Sequence, residues 1–143
     1  MSPLTEFVFA NPRVHHVGVV VASEAQALTQ MARLGLKEDY RGRVEAWDVL
    51  CIFAQANGGS PIEFVVPGKE GPLRSFNNGL GGLHHLALTV PDLAEAMRRF
   101  EVLGMKFVAE QPVKGAGPFL CNFLPPIYTR GFAIELIQEL GDS

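Results

Sequence analysis

The chain repeats itself, and that repetition narrows what it can fold into more than any other feature. Val14-His15-His16-Val17-Gly18-Val19-Val20-Val21 returns as Leu83-His84-His85-Leu86-Ala87-Leu88-Thr89-Val90, at an offset of 69 residues. Leu34-Gly35-Leu36-Lys37 returns as Leu103-Gly104-Met105-Lys106 at the same offset. Pro61-Ile62-Glu63-Phe64-Val65 is echoed by Ala133-Ile134-Glu135-Leu136-Ile137 after 72 residues, so the second copy gains three residues where loops are expected. Repetition of this kind marks a fold assembled from like supersecondary units that share one core.

Both copies carry the same punctuation. Ser23 with Gln26, and Asp92 with Glu95, have the spacing of capping boxes that open helices. Gly35 and Gly104 suit the left-handed position that closes them. Between these signals, Ala25, Leu28, Met31 and Ala32, and later Leu93, Ala96, Met97 and Phe100, form apolar stripes at helical spacing, so each helix should cover one face of a sheet. β-type runs follow at 45–55 and 60–66 in the first copy, and at 106–109, 120–124 and 131–138 in the second. The order predicted is strand, helix, then two or three strands. Residues 67–82, rich in Gly and Pro, read as a surface linker between modules 13–66 and 83–139 of a single domain spanning 13–143.

Composition excludes several classes. Of 143 residues, 48% are apolar and 19% charged, with a mean hydropathy of +0.17, which fits a compact globular domain and not disorder or a coiled coil. Twelve basic against fifteen acidic residues leave a net charge of −3, and no basic run exceeds Arg98-Arg99, so nucleic acid is a poor partner. Cys51 and Cys121 sit in apolar surroundings and read as small core residues of a reducing, cytoplasmic protein. Met1-Ser2-Pro3-Leu4-Thr5-Glu6 lacks the basic start and apolar stretch of a secretion signal, and no run approaches the ~18 apolar residues of a membrane span.

Strand alternation sorts the residues by face. Val17, Val19 and Val21 oppose His16, Gly18 and Val20; Leu86, Leu88 and Val90 oppose His85, Ala87 and Thr89. The fully apolar sets belong under the helices, which turns His16 and His85 to the other face beside residues no larger than Gly18 and Ala87. In the same way Ile62, Phe64 and Val66 oppose Glu63, and Ile134 and Leu136 oppose Glu135. By alternation His15 and His84 fall on the helix side, as core or edge histidines bonded to backbone, with a supporting role at the site left open.

A lone Glu in an antiparallel strand is usually solvated. Here all four histidines of the chain occur as two His-His pairs at equivalent repeat positions, each Glu also recurs, and no Lys or Arg alternates onto these strands to pair with a carboxylate. Two imidazoles and two carboxylates neutralise a dication and suit Zn, Ni, Co or Mn. The pattern points to one divalent metal ion held by His16, Glu63, His85 and Glu135.

These residues, with the order His16-Val-Gly-Val-x-Val, Ile62-Glu63, Gly81-Gly82-Leu83-His84-His85-Leu-Ala-Leu-x-Val and Ile134-Glu135-Leu136, carry a resemblance to the vicinal oxygen chelate (glyoxalase/bleomycin resistance/extradiol dioxygenase) superfamily over nearly the whole chain. The resemblance implies an α+β fold of two tandem βαβββ modules forming a cupped eight-stranded mixed sheet with helices on the convex face. Within the superfamily the chain most resembles the methylmalonyl-CoA epimerases, with glyoxalase I close behind. It implies metal ligands at His16, Glu63, His85 and Glu135, and an isomerase that removes a proton α to a carbonyl through an enediolate-like intermediate, acting on an acyl-CoA or other thioester as a homodimer.

The glyoxalase resemblance implies that Glu135 is both ligand and base. The epimerase resemblance asks for a Glu before the third strand, where Glu45 and Asp48 are the candidates. Two alternatives remain open: a glyoxalase I-type lactoylglutathione lyase, and a metal-free small-molecule-binding protein like the antibiotic-sequestering members, with Trp47, Phe53, Phe119 and Phe123 lining the cup. Arg41, Arg43, Lys114 and Arg130 are the loop and strand-end cations available to an anionic substrate.

Overall fold

In a computed structural model, residues 12–55 and 57–141 are described. The N-terminal segment read above for a secretion signal lies outside them. The elements run β1 (Arg13–Val20), α1 (Glu24–Leu34), β2 (Lys37–Val44), β3 (Val49–Gln55), β4 (Ile62–Pro67), β5 (Gly82–Thr89), α2 (Leu93–Val102), β6 (Val113–Lys114), β7 (Phe119–Leu124) and β8 (Ala133–Glu139). All eight strands join one mixed sheet in the order β2-β3-β4-β1-β5-β8-β7-β6. β1 and β5 are antiparallel at its centre, each flanked by a parallel partner, β4 and β8. The expected α+β architecture is therefore present, with the two copies meeting along the β1–β5 seam.

Both helices start and stop on the expected chemistry. The Ser23 and Asp92 side chains accept from the backbone N–H groups of Gln26 and Glu95, and Gly35 takes the left-handed conformation at the end of α1. α1 buries Ala27 and Met31 against Val21, Ile52, Ala54 and Phe64, while α2 packs Leu93, Ala96 and Met97 against Val90 and Leu136. These two clusters form the convex side. A third cluster, including Val20, Cys51, Phe53, Val65, Ala87, Phe119, Cys121 and Ile137, fills the concave side. The sheet curls until its ends nearly meet: a Cβ at Gly42 on β2 would come within 2.4 Å of the Ala116 carbonyl oxygen in the β6–β7 turn.

Several local expectations differ from the structure. Of the stripe expected on α1 only Met31 is buried, together with Ala27, while Ala25, Leu28 and Ala32 are exposed, so the helix meets the sheet along a narrow i, i+4 seam. The run expected over 45–55 is a strand only from Val49, after a 3-10 turn at Glu45–Trp47. β2 was not foreseen, because its sequence Lys-Glu-Asp-Tyr-Arg-Gly-Arg-Val is mostly charged; it is an edge strand, where charge on the exposed face discourages pairing with another sheet. Residues 106–109, expected as a strand, are irregular. There the fully buried Asn122 side chain substitutes for a ladder, accepting from Ala109 N–H and donating to the Ala109 carbonyl. Finally, 67–82 is more than a surface connection. Pro67 ends β4, Gly82 begins β5, and a 3-10 segment at Pro72–Gly79 packs Leu73 and Phe76 onto the concave core.

Candidate metal centre

The two central strands and their parallel neighbours bring the repeated His and Glu residues to one point. Gly18 pairs with both Glu63 and His85, and Ala87 pairs with both His16 and Glu135, so each carboxylate lies one strand from an imidazole. Single donor atoms of His16, Glu63, His85 and Glu135 all lie within 4.8 Å of one another, and all four residues are buried. His16 Nε2 is 3.1 Å from His85 Nε2, 2.9 Å from Glu135 Oε1 and 3.5 Å from Glu63 Oε1. His85 Nε2 is 3.2 Å from Glu63 Oε1 and 3.1 Å from Glu135 Oε1.

The donor set suits a divalent ion. Four ligand atoms around a centre with bonds of about 2.1 Å stand roughly 3.4 Å apart, close to these separations. Glu135 Oε1 is buried and lacks a well-aligned hydrogen-bond donor, although His16 Nε2 and His85 Nε2 lie 2.9 and 3.1 Å away. A buried carboxylate oxygen left in that state is costly unless a cation completes it. Among the described residues no Lys or Arg pairs with either carboxylate.

Electrostatics bind the four groups into one titrating unit. Burial alone would depress the His16 ring, but Glu63 and Glu135 outweigh it and push His16 up to about 10. His85 is likewise disfavoured by burial and raised by the two carboxylates, to about 9. Burial opposes ionisation of Glu63 and Glu135, yet the adjacent imidazoles hold both below the usual carboxylate range. The imidazoles are raised and the carboxylates lowered, so each kind of group favours the charged form of the other.

His15 and His84 depart from the alternation. In the β1–β5 ladder the register jumps between Val14 and His16 and between Gly18 and Val19, which leaves His15 and His84 as the extra residues of two β-bulges. A bulge re-aims the side chain it inserts. Both rings are carried to the concave side: His15 lies edge-on to Phe119, and His84 to Phe76 and Phe123. Each then bonds the ring behind it, His15 Nδ1 to His16 Nδ1 at 2.8 Å and His84 Nδ1 to His85 Nδ1 at 2.8 Å. The expectation of backbone-bonded histidines under the helices is corrected accordingly. Burial lowers both rings, His84 to about 4, so they stay neutral and can accept from the Nδ1–H of the inner ring, which leaves each inner Nε2 facing the cluster.

Above the cluster opens a cavity of about 210 Å³, with Trp47, Leu73, Phe119, Phe123, Pro125 and Pro126 among its walls and Glu63, His84, His85 and Glu135 among its polar groups. Of the aromatic residues expected there, Phe53 does not line it; it stacks on Tyr40 and meets His16 edge-on. Cys51 and Cys121 also face the cavity, where burial and the nearby glutamates push both thiols up and keep them protonated. Glu45 is exposed in a 3-10 turn, Glu45–Trp47, between two lining residues, Val44 and Trp47, and does not itself line the cavity. Asp48 pairs with Arg43. None of the other expected cations lines the cavity: Arg41 pairs with Glu24 and Glu38, Lys114 donates to the carbonyls of Gly115 and Gly117, and Arg130 donates its backbone N–H to the carbonyl of the lining residue Pro126.

Comparison with known proteins agrees with this architecture. A family model described as Glyoxalase/Bleomycin resistance protein/Dioxygenase superfamily matches residues 15–123. The uncharacterized protein YqjC of Bacillus subtilis (strain 168) is 29% identical over 134 residues, covering 92% of this chain and 95% of that protein. Methylmalonyl-CoA epimerase from Mycobacterium tuberculosis superposes with a TM-score of 0.81 at 23% identity, over 90% of this chain and 88% of that one. A variant of Streptomyces coelicolor methylmalonyl-CoA epimerase, in complex with 2-nitronate-propionyl-CoA, gives 0.78 at 21% identity, over 90% of this chain and 98% of that one. The last two are likenesses of fold.

Proposed function

The chain belongs to the glyoxalase/bleomycin resistance protein/dioxygenase superfamily, the vicinal oxygen chelate group, and we propose that it is a metal-dependent isomerase that removes a proton α to the carbonyl of an acyl thioester. The observation that carries this reading is the convergence of four buried donors, two neutralising carboxylates among them, beneath an apolar cup. His16, Glu63, His85 and Glu135 would hold the ion. Bound there, a divalent cation such as Zn, Ni, Co or Mn supplies Lewis-acid stabilisation for negative charge developing on the substrate's carbonyl oxygen.

The remaining roles fall to the chain. His15 and His84 keep the inner rings oriented. The apolar walls exclude water, which strengthens every charge interaction at the cluster. Glu135 lines the cup as a carboxylate and takes the proton; Glu45, between two wall residues at the rim, is the candidate to return one from the other side. Fold likeness to an epimerase seen with an acyl-CoA analogue favours a thioester over a glutathione adduct. A homodimer in the cytoplasm is part of the same proposal.

The test is incubation with candidate acyl-CoA thioesters in heavy water, following loss of the α-proton signal by NMR, together with elemental analysis of protein purified without chelators. Exchange that depends on bound metal is expected. Exchange only with a hemithioacetal of glutathione would move the assignment to a lyase, and ligand binding without metal or exchange would move it to a sequestering protein.

A further inference from the structure

We infer that the part of the substrate seated in the cup, beyond the oxygens it offers to the cluster, is uncharged and apolar, with the bulk of a branched alkyl or phenyl group. The inference rests on the proposed function only for the oxygen-bearing head; the shape and chemistry of the cup stand by themselves.

Charge and size both enter. Among the described residues no Lys or Arg lines the cavity. Arg41 and Arg43 are tied to carboxylates and Lys114 to backbone carbonyls; Arg130 follows the wall residues Pro125 and Pro126 but does not itself line the cavity, and residues 1–11, 56 and 142–143 contain no Lys or Arg at all. Glu63 and Glu135 already balance the charge of a dication. A carboxylate on the substrate's tail would therefore be buried against Trp47, Leu73, Phe119 and Phe123 with no cation in the wall to meet it, a strongly disfavoured position. As to size, an apolar cavity of about 150 Å³ admits benzene. The cup is about 210 Å³, more than a methyl substituent would fill, and unfilled apolar volume forfeits contacts that a larger tail would make.

The chain's single tryptophan, Trp47, is part of the wall, so its fluorescence reports occupancy directly. Zinc-loaded protein is titrated with acetohydroxamate, phenylacetohydroxamate and succinic monohydroxamate, which share one chelating head and differ in tail. Phenylacetohydroxamate is expected to bind about tenfold or more tightly than acetohydroxamate, and succinic monohydroxamate no more tightly than acetohydroxamate. Equal affinities, or preference for the carboxylate tail, overturn the inference. Chelator-stripped protein is titrated in parallel with phenylacetamide and succinamate: a change in Trp47 emission with the first alone supports the inference, and none with the first overturns it. Failure of α-proton exchange alongside the expected ranking would refute the proposed reaction and leave the cup's preference standing.

Discussion

Gly18 is bare where the His85 ring lies: a Cβ at position 18 would come within 2.0 Å of His85 Cε1. Gly18→Ala is therefore expected to push His85 off the cluster, lowering affinity for Zn(II) by about 10- to 100-fold and costing roughly 1–3 kcal/mol of stability from overpacking. Isothermal titration and thermal denaturation check both numbers. Wild-type metal affinity in this variant would mean that His85 does not contribute a ligand.

Removing an inner imidazole tests the cluster itself. His16→Ala and His85→Ala should each abolish stoichiometric metal binding, measured by elemental analysis after dialysis. In the metal-free state each should also cost about 3–5 kcal/mol, because two buried carboxylates are left facing one cation. Urea denaturation reads this cost, and a variant as stable as the parent would show that the charges are not paired as described.

The bulged histidines make a separate case. His15→Ala and His84→Ala leave all four inner donors intact yet remove the 2.8 Å contacts behind His16 and His85. The expected loss is about 10- to 100-fold in metal affinity, with circular dichroism unchanged. Affinity equal to that of the parent in both variants would mean that packing alone orients the inner rings.

Acidity and metal compete for the same nitrogens. In chelator-treated protein the folded-state values of His85 and His16, raised from 6.5 to about 9 and about 10, contribute stability that is fully present below about pH 6.5 and is lost as pH rises through 9 and 10. Glu63 and Glu135 are depressed below 4.5, so their contribution is present above about pH 4.5 and is lost on further acidification. Urea midpoints should accordingly be highest between about pH 4.5 and 6.5. Zinc binding near pH 7 should release up to two protons per ion as both rings give up their charge, seen as a dependence of calorimetric heat on buffer ionisation enthalpy, and affinity should rise with pH.

Much of the fold could be read from the chain because helix caps and period-two alternation act locally. Ser23 and Asp92 cap their helices through side-chain bonds three residues long, and the convex and concave clusters divide along the alternation of β4 and β8. One local reading failed, since Ala25, Leu28 and Ala32 of the expected α1 stripe are exposed; two other misses occur where partners are distant in sequence. A strand as charged as β2 is held by its pairing with β3, from Lys37 with Gln55 to Val44 with Val49, more than by any apolar pattern of its own. At 106–109 the buried Asn122 amide replaced a backbone ladder, and nothing in four residues announces that.

The site divides in the same manner. Duplication and alternation decided that His16, Glu63, His85 and Glu135 share one face, since each strand's geometry follows from its own residues and the two copies must pack alike. What no local rule could supply was the β1–β5 register. Two bulges in that ladder turned His15 and His84 from the helix side onto the concave side, and the curl that brings Gly42 against Ala116 shaped an apolar cup around them. Register and curvature arise from the summed fit of whole strands, a property of the assembled sheet that no single segment possesses.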